Sequence, residues 1–427
     1  MNFIHAADLH LDAPLKGLAR YEGAPHERIR QAGRDAFERL IETCLTRQVD
    51  FLLLAGDILD GSGRDFNTVL YLARHLQRLK AAGIEVFAVL GNHDAGHDLL
   101  QANPFSDNVH LFSSSRAQTH RMESLGVAIH GQSHEGRGEK RNLAAGYPAA
   151  IPGWFNIGLL HTALTGRAGH ESYAPCTEQD LLMHGYHYWA LGHIHQRELV
   201  RPHDPMILFP GTLQGRHIRE SGAKGATLVE VAFEGDFRIQ EQHLPMDQVR
   251  WHILEIDMER METFNDLLDR VVDGMESLVN PEVLTVVRLL LKGRCAWQGQ
   301  LVARGMELEQ ELRVQTMNTR SDVLWLERVI NQTEPLRSDA PDPWGGGDRS
   351  TMSDPMTMVH QMVAELREDP VALNAVFERF KPLRSLLGGT AFHGMEHLPF
   401  HEDQWLNDVL RQAEWLLEER LRNPGGR

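Results

Sequence analysis

In Ile84-Glu85-Val86-Phe87-Ala88-Val89-Leu90-Gly91-Asn92-His93-Asp94, an apolar run ends abruptly in four small or polar residues. The run has the length and the aliphatic and aromatic content of a buried β-strand. An amide, an imidazole and a carboxylate therefore follow the carboxyl end of a predicted strand. The same kind of junction recurs along the chain, and this recurrence underlies both the predicted fold and the predicted site.

At four further positions, an apolar run ends in side chains of the kinds that bind metal ions. They are Asp8-Leu9-His10, Gly56-Asp57, His161 and Gly192-His193-Ile194-His195. In open α/β sheets, ligands bind beyond the carboxyl ends of the strands, so these side chains are expected to meet at one edge. Their oxygen and nitrogen donors suit a pair of divalent metals. The predicted ligands are Asp8, His10, Asp57, Asn92, His161, His193 and His195.

The first 90 residues follow the pattern β-α-β-α-β. The predicted elements are strands at 2–7, 49–55 and 84–90 and amphipathic helices at about 25–47 and 66–82. Further predicted strands continue to about residue 245. The sequence therefore predicts a layered α/β catalytic domain over residues 1–248.

The remainder of the chain predicts three further segments. An alternation of strands and helices from Trp251, with a last strand at 313–318, predicts a small α+β domain over residues 249–332. Residues 333–354 are rich in Pro, Gly, Ser and Asp, which predicts a flexible linker. Residues 355–427 have the apolar spacing of helices and are predicted to form a C-terminal helical segment.

The composition limits the class of protein. A formal net charge of −16 counts against a nucleic-acid binder, although two bound divalent cations would add positive charge at the site itself. The cysteines, Cys44, Cys176 and Cys295, are far apart, which argues against disulfides and a thiolate zinc site and fits a reducing compartment. Because neither a signal-like N-terminus nor an apolar run of membrane-spanning length is seen, we expect a cytoplasmic protein.

The motifs resemble those of the calcineurin-like metallophosphoesterase superfamily. Asp-x-His, Gly-Asp, Gly-Asn-His-Asp, His and Gly-His-x-His occur in this order. Within the superfamily, residues 3–12, 14–18, 192–196 and 210–220 resemble the SbcD-like bacterial DNA nucleases of the YhaO type. The resemblance implies a β-sandwich flanked by helices and two divalent metal ions, with manganese expected and iron and zinc as alternatives.

Each candidate site residue has an expected role. One metal is expected to be bound by Asp8, His10, Asp57 and His195, and the other by Asp57, Asn92, His161 and His193. His93 is expected to protonate or hydrogen-bond the leaving oxygen, with Asp94 orienting its ring. The locally basic segment 216–224 is either an ordinary solvated loop or a contact to the phosphate backbone. Its candidate contact residues are Arg216, His217 and Arg219.

By resemblance, the chain is expected to be a metal-dependent DNA exonuclease or endonuclease that acts on DNA ends in DNA repair. The expected partner is an SMC-like coiled-coil ATPase, with 249–332 as a capping domain and 355–427 docking on the ATPase. A homodimer is a further expectation. Two features depart from the family pattern: the acidic net charge, and Asp60, which stands where some family nucleases have a His.

Two other classes of protein stay open. The first is a phosphatase, or a small-molecule or cyclic-nucleotide phosphodiesterase, with the same metals. Protein phosphatases of the superfamily show Gly-Asp-x-x-Asp-Arg-Gly and Gly-Asn-His-Glu, and this chain departs from both motifs after Asp60 and at Asp94. The second is a catalytically silent scaffold for DNA ends or for the ATPase, which the full set of predicted ligands disfavours.

Overall fold

The computed structural model describes residues 1–13, 25–60, 66–97, 100, 104–165, 173–259, 261–320 and 323–336. The motif at 14–18, most of the predicted linker and the predicted C-terminal helices lie outside these residues. The chain divides into two compact units, Met1–His252 with Val279–Val286, and Ile253–Leu278 with the described part of Val287–Arg427. The domain boundaries given above stay a prediction.

Two six-stranded sheets form the first unit. Its strands are β1 (Asn2–Ala6), β2 (Phe51–Ala55), β3 (Glu85–Val89), β4 (Val109–Leu111), β5 (Gln118–Met122), β6 (Val127–Gly131), β7 (Phe155–His161), β8 (Tyr188–Gly192), β9 (Glu198–Arg201), β10 (Met206–Phe209), β11 (Gly225–Phe233) and β12 (Phe237–Pro245). Its helices include α1 (His26–Arg47), α2 (Phe66–Ala81) and the short α3 (Glu178–Leu182). The first sheet has the order β12-β11-β1-β2-β3-β4, and the second β5-β6-β7-β8-β10-β9.

The central strands β1, β2 and β3 of the first sheet are buried on both faces, which is why they read as nearly continuous apolar runs. In β1, Phe3 packs against Tyr188 of the second sheet, with ring centroids 5.4 Å apart. The next residue, Ile4, packs in the cluster that includes Phe37 of α1 and Leu72 of α2. Helices thus cover one face of the first sheet and the second sheet covers the other. The predicted layered α/β fold is confirmed.

Parallel pairing brings the strand ends together. β2 and β3 end side by side, with Ala55 opposite Val89. In the second sheet β7 and β8 also run parallel, with His161 opposite Gly192. The Nδ1 of His161 donates to the backbone carbonyl of Ala55 at 2.9 Å, so the strand ends of both sheets meet at one place.

The second unit is built on a three-stranded sheet. Its strands are β13 (Val249–Asp257), β14 (Leu284–Cys295) and β15 (Leu324–Pro335), and its helices are α4 (Phe264–Leu278), α5 (Gln298–Ala303) and α6 (Gly305–Arg320). The predicted strand at 313–318 is wrong, because these residues continue α6: Leu308 and Leu312 are buried one turn apart, whereas Val314 is exposed. The last strand, β15, includes the first three residues of the predicted linker.

Side chains of α6 cover the outer edge of β15. Arg313 donates to the backbone carbonyls of Leu326 and Glu327 at 3.1 and 2.6 Å, and Glu309 accepts from the backbone N–H of Val329 at 3.0 Å. The unpaired backbone groups of an edge strand are a template for adding another strand, so these contacts close that edge. In the part of the chain that is described, no helix is long and apolar enough to cross a membrane.

Candidate metal centre

Three of the predicted ligands form a compact donor group at the strand ends. One ligand atom from each of Asp8, His10 and His195 lies within 4.8 Å of the others. The Nε2 atoms of His10 and His195 are 3.2 Å apart, and His195 Nε2 is 3.8 Å from Asp8 Oδ1. Asp8 and His10 are buried, and His195 is partly exposed, so the group opens to solvent on one side.

A second donor group contains Asp57, His161 and His193, whose ligand atoms also lie within 4.8 Å of one another. Asp57 Oδ2 is 3.5 Å from His161 Nε2 and 3.8 Å from His10 Nε2, so this carboxylate lies against both groups. Asn92 Oδ1 approaches His161 Nε2 to 3.0 Å. All seven predicted ligands therefore meet in one site with Asp57 between the two groups, and their roles as ligands stay a prediction.

Two hydrogen-bond acceptors face each other in this site. His161 donates its Nδ1 proton to Ala55, and burial lowers the pKa of the ring well below its ordinary value, so Nε2 carries a lone pair. This Nε2 lies 3.0 Å from Asn92 Oδ1, which is also an acceptor. Two lone pairs at such a distance repel each other, and a shared cation removes the conflict. Imidazole nitrogen with amide and carboxylate oxygen suits manganese, iron and zinc alike.

The carboxylates of the site also favour bound cations. Burial raises the pKa of Asp57 to about 7, and the nearby charge of Asp94 adds to this effect. Burial likewise raises the pKa of Asp8 well above its ordinary value, with Asp57 as the next contribution. Buried carboxylates ionise readily only when a counter-charge lies close by, and two divalent cations would supply it. The donor set therefore fits a two-metal site.

Four of the seven predicted ligands have a left-handed backbone. The φ angle is 50° at Asp8, 42° at His10, 50° at Asp57 and 104° at His193. For a residue other than glycine, such a conformation is disfavoured by roughly 1–3 kcal/mol and is usually found at functional sites. Backbone hydrogen bonds between the loops hold it, including one from His10 N to Asp57 O at 3.0 Å.

Close packing around the donors explains the glycines that precede them. A Cβ atom on Gly91 would collide with Asp57 Oδ1 and would lie 2.7 Å from the backbone nitrogen of the same residue. At Gly56, φ is +86° and a Cβ atom would collide with the ring of His161. Glycine therefore precedes Asp57 and Asn92 because the loops pack so closely around the site that a larger residue would not fit.

His93 lies next to the donors. Its ring centroid is 4.8 Å from that of His10, and its side chain is 40% exposed. Its Nδ1 donates to Asp60 Oδ1 at 2.9 Å, and this hydrogen bond is the main reason why the pKa of the ring is raised. Because Nδ1 is occupied, Nε2 is the ring atom that is left for a substrate.

The predicted role of Asp94, to orient His93, is wrong. The Asp94 carboxylate is fully buried and accepts three backbone hydrogen bonds of 2.9–3.1 Å. The donors are Gly91, Ile58 and Leu59. Asp94 thus ties together the two loops that present Asp57 and Asn92, while the carboxylate on the His93 ring is that of Asp60.

Comparison with known proteins gives the family. The calcineurin-like phosphoesterase family matches residues 1–197, and the family of the middle domain of metallophosphoesterase YhaO matches residues 251–334. An uncharacterized metallophosphoesterase YhaO from Bacillus subtilis is 34% identical over 367 residues, which cover 83% of this chain and 88% of that protein. The chain belongs to the YhaO family of calcineurin-like metallophosphoesterases. The resemblance seen in the motifs is confirmed.

More distant relatives of this YhaO-family chain are described as DNA double-strand break repair protein Mre11. The protein from Methanopyrus kandleri is 29% identical over 211 residues, covering 46% of this chain and 44% of the relative. The protein from Sulfurisphaera tokodaii is 28% identical over 244 residues, covering 55% and 60%. Family membership makes the chain a phosphoesterase that uses divalent metals.

One residue of the site in this YhaO-family chain, Glu220, is not among the residues predicted from the sequence. Glu220 is 5% exposed, and its Oε1 accepts from His195 Nδ1 at 2.7 Å. Burial alone would raise the pKa of Glu220, but the hydrogen bond to His195 and the charge of Arg216 hold it well below its ordinary value. As the acidic residue inside a basic segment, Glu220 could have been suspected from the sequence, although its partner could not.

The three candidate substrate contacts lie at different depths. Arg216 is largely buried beside the site, with Nη2 3.3 Å from Glu220 Oε1. His217 is 41% exposed and 3.8 Å from the same carboxylate oxygen, whereas Arg219 is exposed. The structure thus brings Arg216 into the site and leaves Arg219 exposed.

Proposed function

We propose that this YhaO-family chain is a DNA exonuclease or endonuclease that hydrolyses phosphodiester bonds at DNA ends, in DNA repair in the cytoplasm. The observation that carries the proposal is the pair of donor groups joined by Asp57, with the half-exposed imidazole of His93 beside them. The relatives described as DNA double-strand break repair proteins support DNA as the substrate.

Seven side chains hold the two metals in this proposal. Asp8, His10, Asp57 and His195 hold one, and Asp57, Asn92, His161 and His193 hold the other. The proposed metal is manganese. When bound, the two cations withdraw charge from the phosphoryl oxygens and lower the pKa of the attacking water. Arg216, His217 and Arg219 are the proposed contacts to neighbouring phosphates. Contacts to the phosphate backbone give affinity without sequence preference.

His93 serves the leaving group. The attacking water releases a proton to solvent as its oxygen forms a bond to phosphorus. The bond from phosphorus to the leaving sugar oxygen breaks, and this oxygen takes a proton from His93 Nε2. Asp60 occupies Nδ1 and raises the pKa of the ring, so His93 is protonated over a wider pH range. This proton donor is half-exposed and so can be reached by a substrate as large as DNA.

Asp60→Asn is expected to move the alkaline limit of DNA hydrolysis to lower pH. The hydrogen bond to Asp60 raises the pKa of His93, so a neutral amide in its place lowers that pKa. The protonated form of His93 then disappears at a lower pH, and with it the acid that the reaction needs. The measurement is the pH profile of kcat/KM on an oligonucleotide, and an unmoved alkaline limit would remove Asp60 from this role.

The experiment that tests the function is digestion of end-labelled linear DNA by the purified protein with Mn²⁺, with an EDTA control. Bis-p-nitrophenyl phosphate is assayed in parallel as a small diester. Cleavage of DNA that EDTA abolishes supports the nuclease. If only the small diester is hydrolysed, the digestion is repeated with the ATPase present, and DNA that still stays intact contradicts the choice of DNA as substrate.

The proposed partner is an SMC-like coiled-coil ATPase, and a homodimer is proposed with it. The proposed domains are the nuclease at 1–248, the cap at 249–332, the linker at 333–354 and an ATPase-docking segment at 355–427. Deletion of 355–427 is expected to preserve hydrolysis of bis-p-nitrophenyl phosphate and to abolish pulldown of the ATPase, because only the docking segment is removed. Pulldown that survives the deletion would place the partner surface elsewhere.

A further inference from the structure

The side chain of Arg216 lies between the carboxylates of Glu220 and Asp60. Its Nη2 donates to Glu220 Oε1 at 3.3 Å, and its Nη1 lies 3.8 Å from Asp60 Oδ2. Its backbone N–H donates to the second oxygen of Glu220 at 2.6 Å. The side chain is only 19% exposed, so solvent weakens these ion pairs less than it would at the surface.

Each of the two carboxylates also holds an imidazole of the site. Glu220 Oε1 accepts from His195 Nδ1 at 2.7 Å, and Asp60 Oδ1 accepts from His93 Nδ1 at 2.9 Å. A carboxylate on Nδ1 leaves Nε2 as the other functional atom of the ring and fixes its direction. An unbroken series of contacts therefore runs from His195 through Arg216 to His93.

We propose that Arg216 is a positioning residue that fixes the rings of His195 and His93 as one unit, by holding Glu220 on the first and Asp60 on the second. This inference rests on the proposed function, which assigns His195 to a metal and His93 to the leaving oxygen. A planar guanidinium suits the task because its nitrogens have a fixed spacing, whereas a lysine ammonium is a single point charge.

The first test is Mn²⁺ binding to the metal-free, full-length protein, measured by isothermal titration calorimetry. We expect Arg216→Gln and Glu220→Gln each to weaken binding by roughly 10–100-fold, as loss of the outer hydrogen-bond partner of a ligating His does. The double variant should bind no more weakly than the weaker single variant, because both changes break the same series of contacts. Arg216→Lys keeps the charge without the planar geometry and should fall between wild type and Arg216→Gln.

The second test addresses the His93 end. At Mn²⁺ concentrations that saturate the variant, Arg216→Gln should lower kcat for DNA more than kcat for bis-p-nitrophenyl phosphate, since p-nitrophenolate leaves without a proton. Equal losses on both substrates would overturn this half of the proposal. A loss confined to KM for DNA would also overturn it, because Arg216 would then be a substrate contact alone.

Arg116→Gln is the matched control, since it makes the same change at an exposed arginine outside the proposed site. It should keep the wild-type affinity for Mn²⁺. Wild-type affinity in both Arg216 variants would overturn the proposal, and if circular dichroism shows that Arg216→Gln is unfolded, Arg216→Lys decides. Failure of the wild-type protein to bind Mn²⁺ would overturn the proposed function instead, so the two failures are distinguishable.

Discussion

His93→Ala is expected to lower the turnover of DNA by about 10²–10⁴-fold, the usual contribution of a positioned general acid. The affinity for Mn²⁺ should stay close to wild type, because His93 is outside the predicted ligand set. Turnover of an end-labelled oligonucleotide and calorimetric Mn²⁺ binding measure the two effects. A variant that has lost its metal as well would place His93 among the ligands.

The loss should depend on the leaving group. A sugar alkoxide needs a proton as it leaves, whereas p-nitrophenolate does not, so bis-p-nitrophenyl phosphate hydrolysis should fall much less than DNA hydrolysis. His203→Ala is a suitable control because His203 is an exposed histidine of the same unit. Equal losses on both substrates would contradict the acid role, and unchanged turnover would remove His93 from the mechanism.

Asp57→Asn is expected to abolish metal binding and turnover and yet to stabilise the metal-free protein. The amide keeps an oxygen for the backbone N–H of His93, which donates to Asp57 Oδ1 at 2.9 Å, but it carries none of the charge that burial disfavours. Thermal unfolding with and without Mn²⁺ measures both effects. The Tm of the wild type should rise with Mn²⁺, whereas that of the variant should start higher and stay constant.

The pH dependence of stability gives an independent check on Asp57. Burial raises its pKa from 3.8 to about 7, so between these values the folded state keeps a proton that the unfolded state releases. The free energy of unfolding of the metal-free protein should therefore fall as the pH rises through this window, by on the order of a few kcal/mol. Asp57→Asn should reduce this slope, and Asp269→Asn, the same change at an exposed position, should leave it unchanged. If the stability of Asp57→Asn depended on pH as steeply as that of the wild type, the raised pKa would not belong to Asp57.

The sequence predicts the layered fold and the gathering of the seven donors for one physical reason. Parallel strands that are buried on both faces are nearly continuous apolar runs, so their ends are visible in the sequence, and the ends of such strands share an edge. His161 and Asp57 are 104 residues apart in the chain, yet His161 is the last residue of β7, Asp57 follows β2 by two residues, and their side chains lie 3.5 Å from each other. Their roles as metal ligands stay a prediction.

The supporting carboxylates could not be assigned in the same way. Asp60 and Asp94 both follow strands by a few residues, and nothing in their spacing says which one turns towards His93. The turn after β3 directs the Asp94 carboxylate towards backbone N–H groups, and Asp60 is the residue that accepts a hydrogen bond from the His93 ring. Glu220 lies 25 residues after His195, and only the tertiary structure brings the two together.

The error at 313–318 has a different origin. The segment Arg-Val-Gln-Thr-Met-Asn has the alternation of a strand, and a six-residue window contains too little of the helical period to contradict it. A window that starts at Leu308 would have included two apolar residues one turn apart. The strand that this domain needs begins only at Leu324, beyond the helix.

The strained backbone of Asp8, His10, Asp57 and His193 has an evolutionary consequence. Glycine at any of these positions would adopt the observed φ without steric strain, so each of the four residues stores roughly 1–3 kcal/mol of backbone strain. The carboxylates of Asp8 and Asp57 offset part of this strain, because they accept the backbone N–H groups of His193 and His93. Directed evolution for heat resistance alone, without a screen for hydrolysis, should therefore replace His10 and His193 before Asp8 and Asp57. A descendant that no longer binds metals should show substitutions at these same positions, whereas the sequences of its strands should be retained.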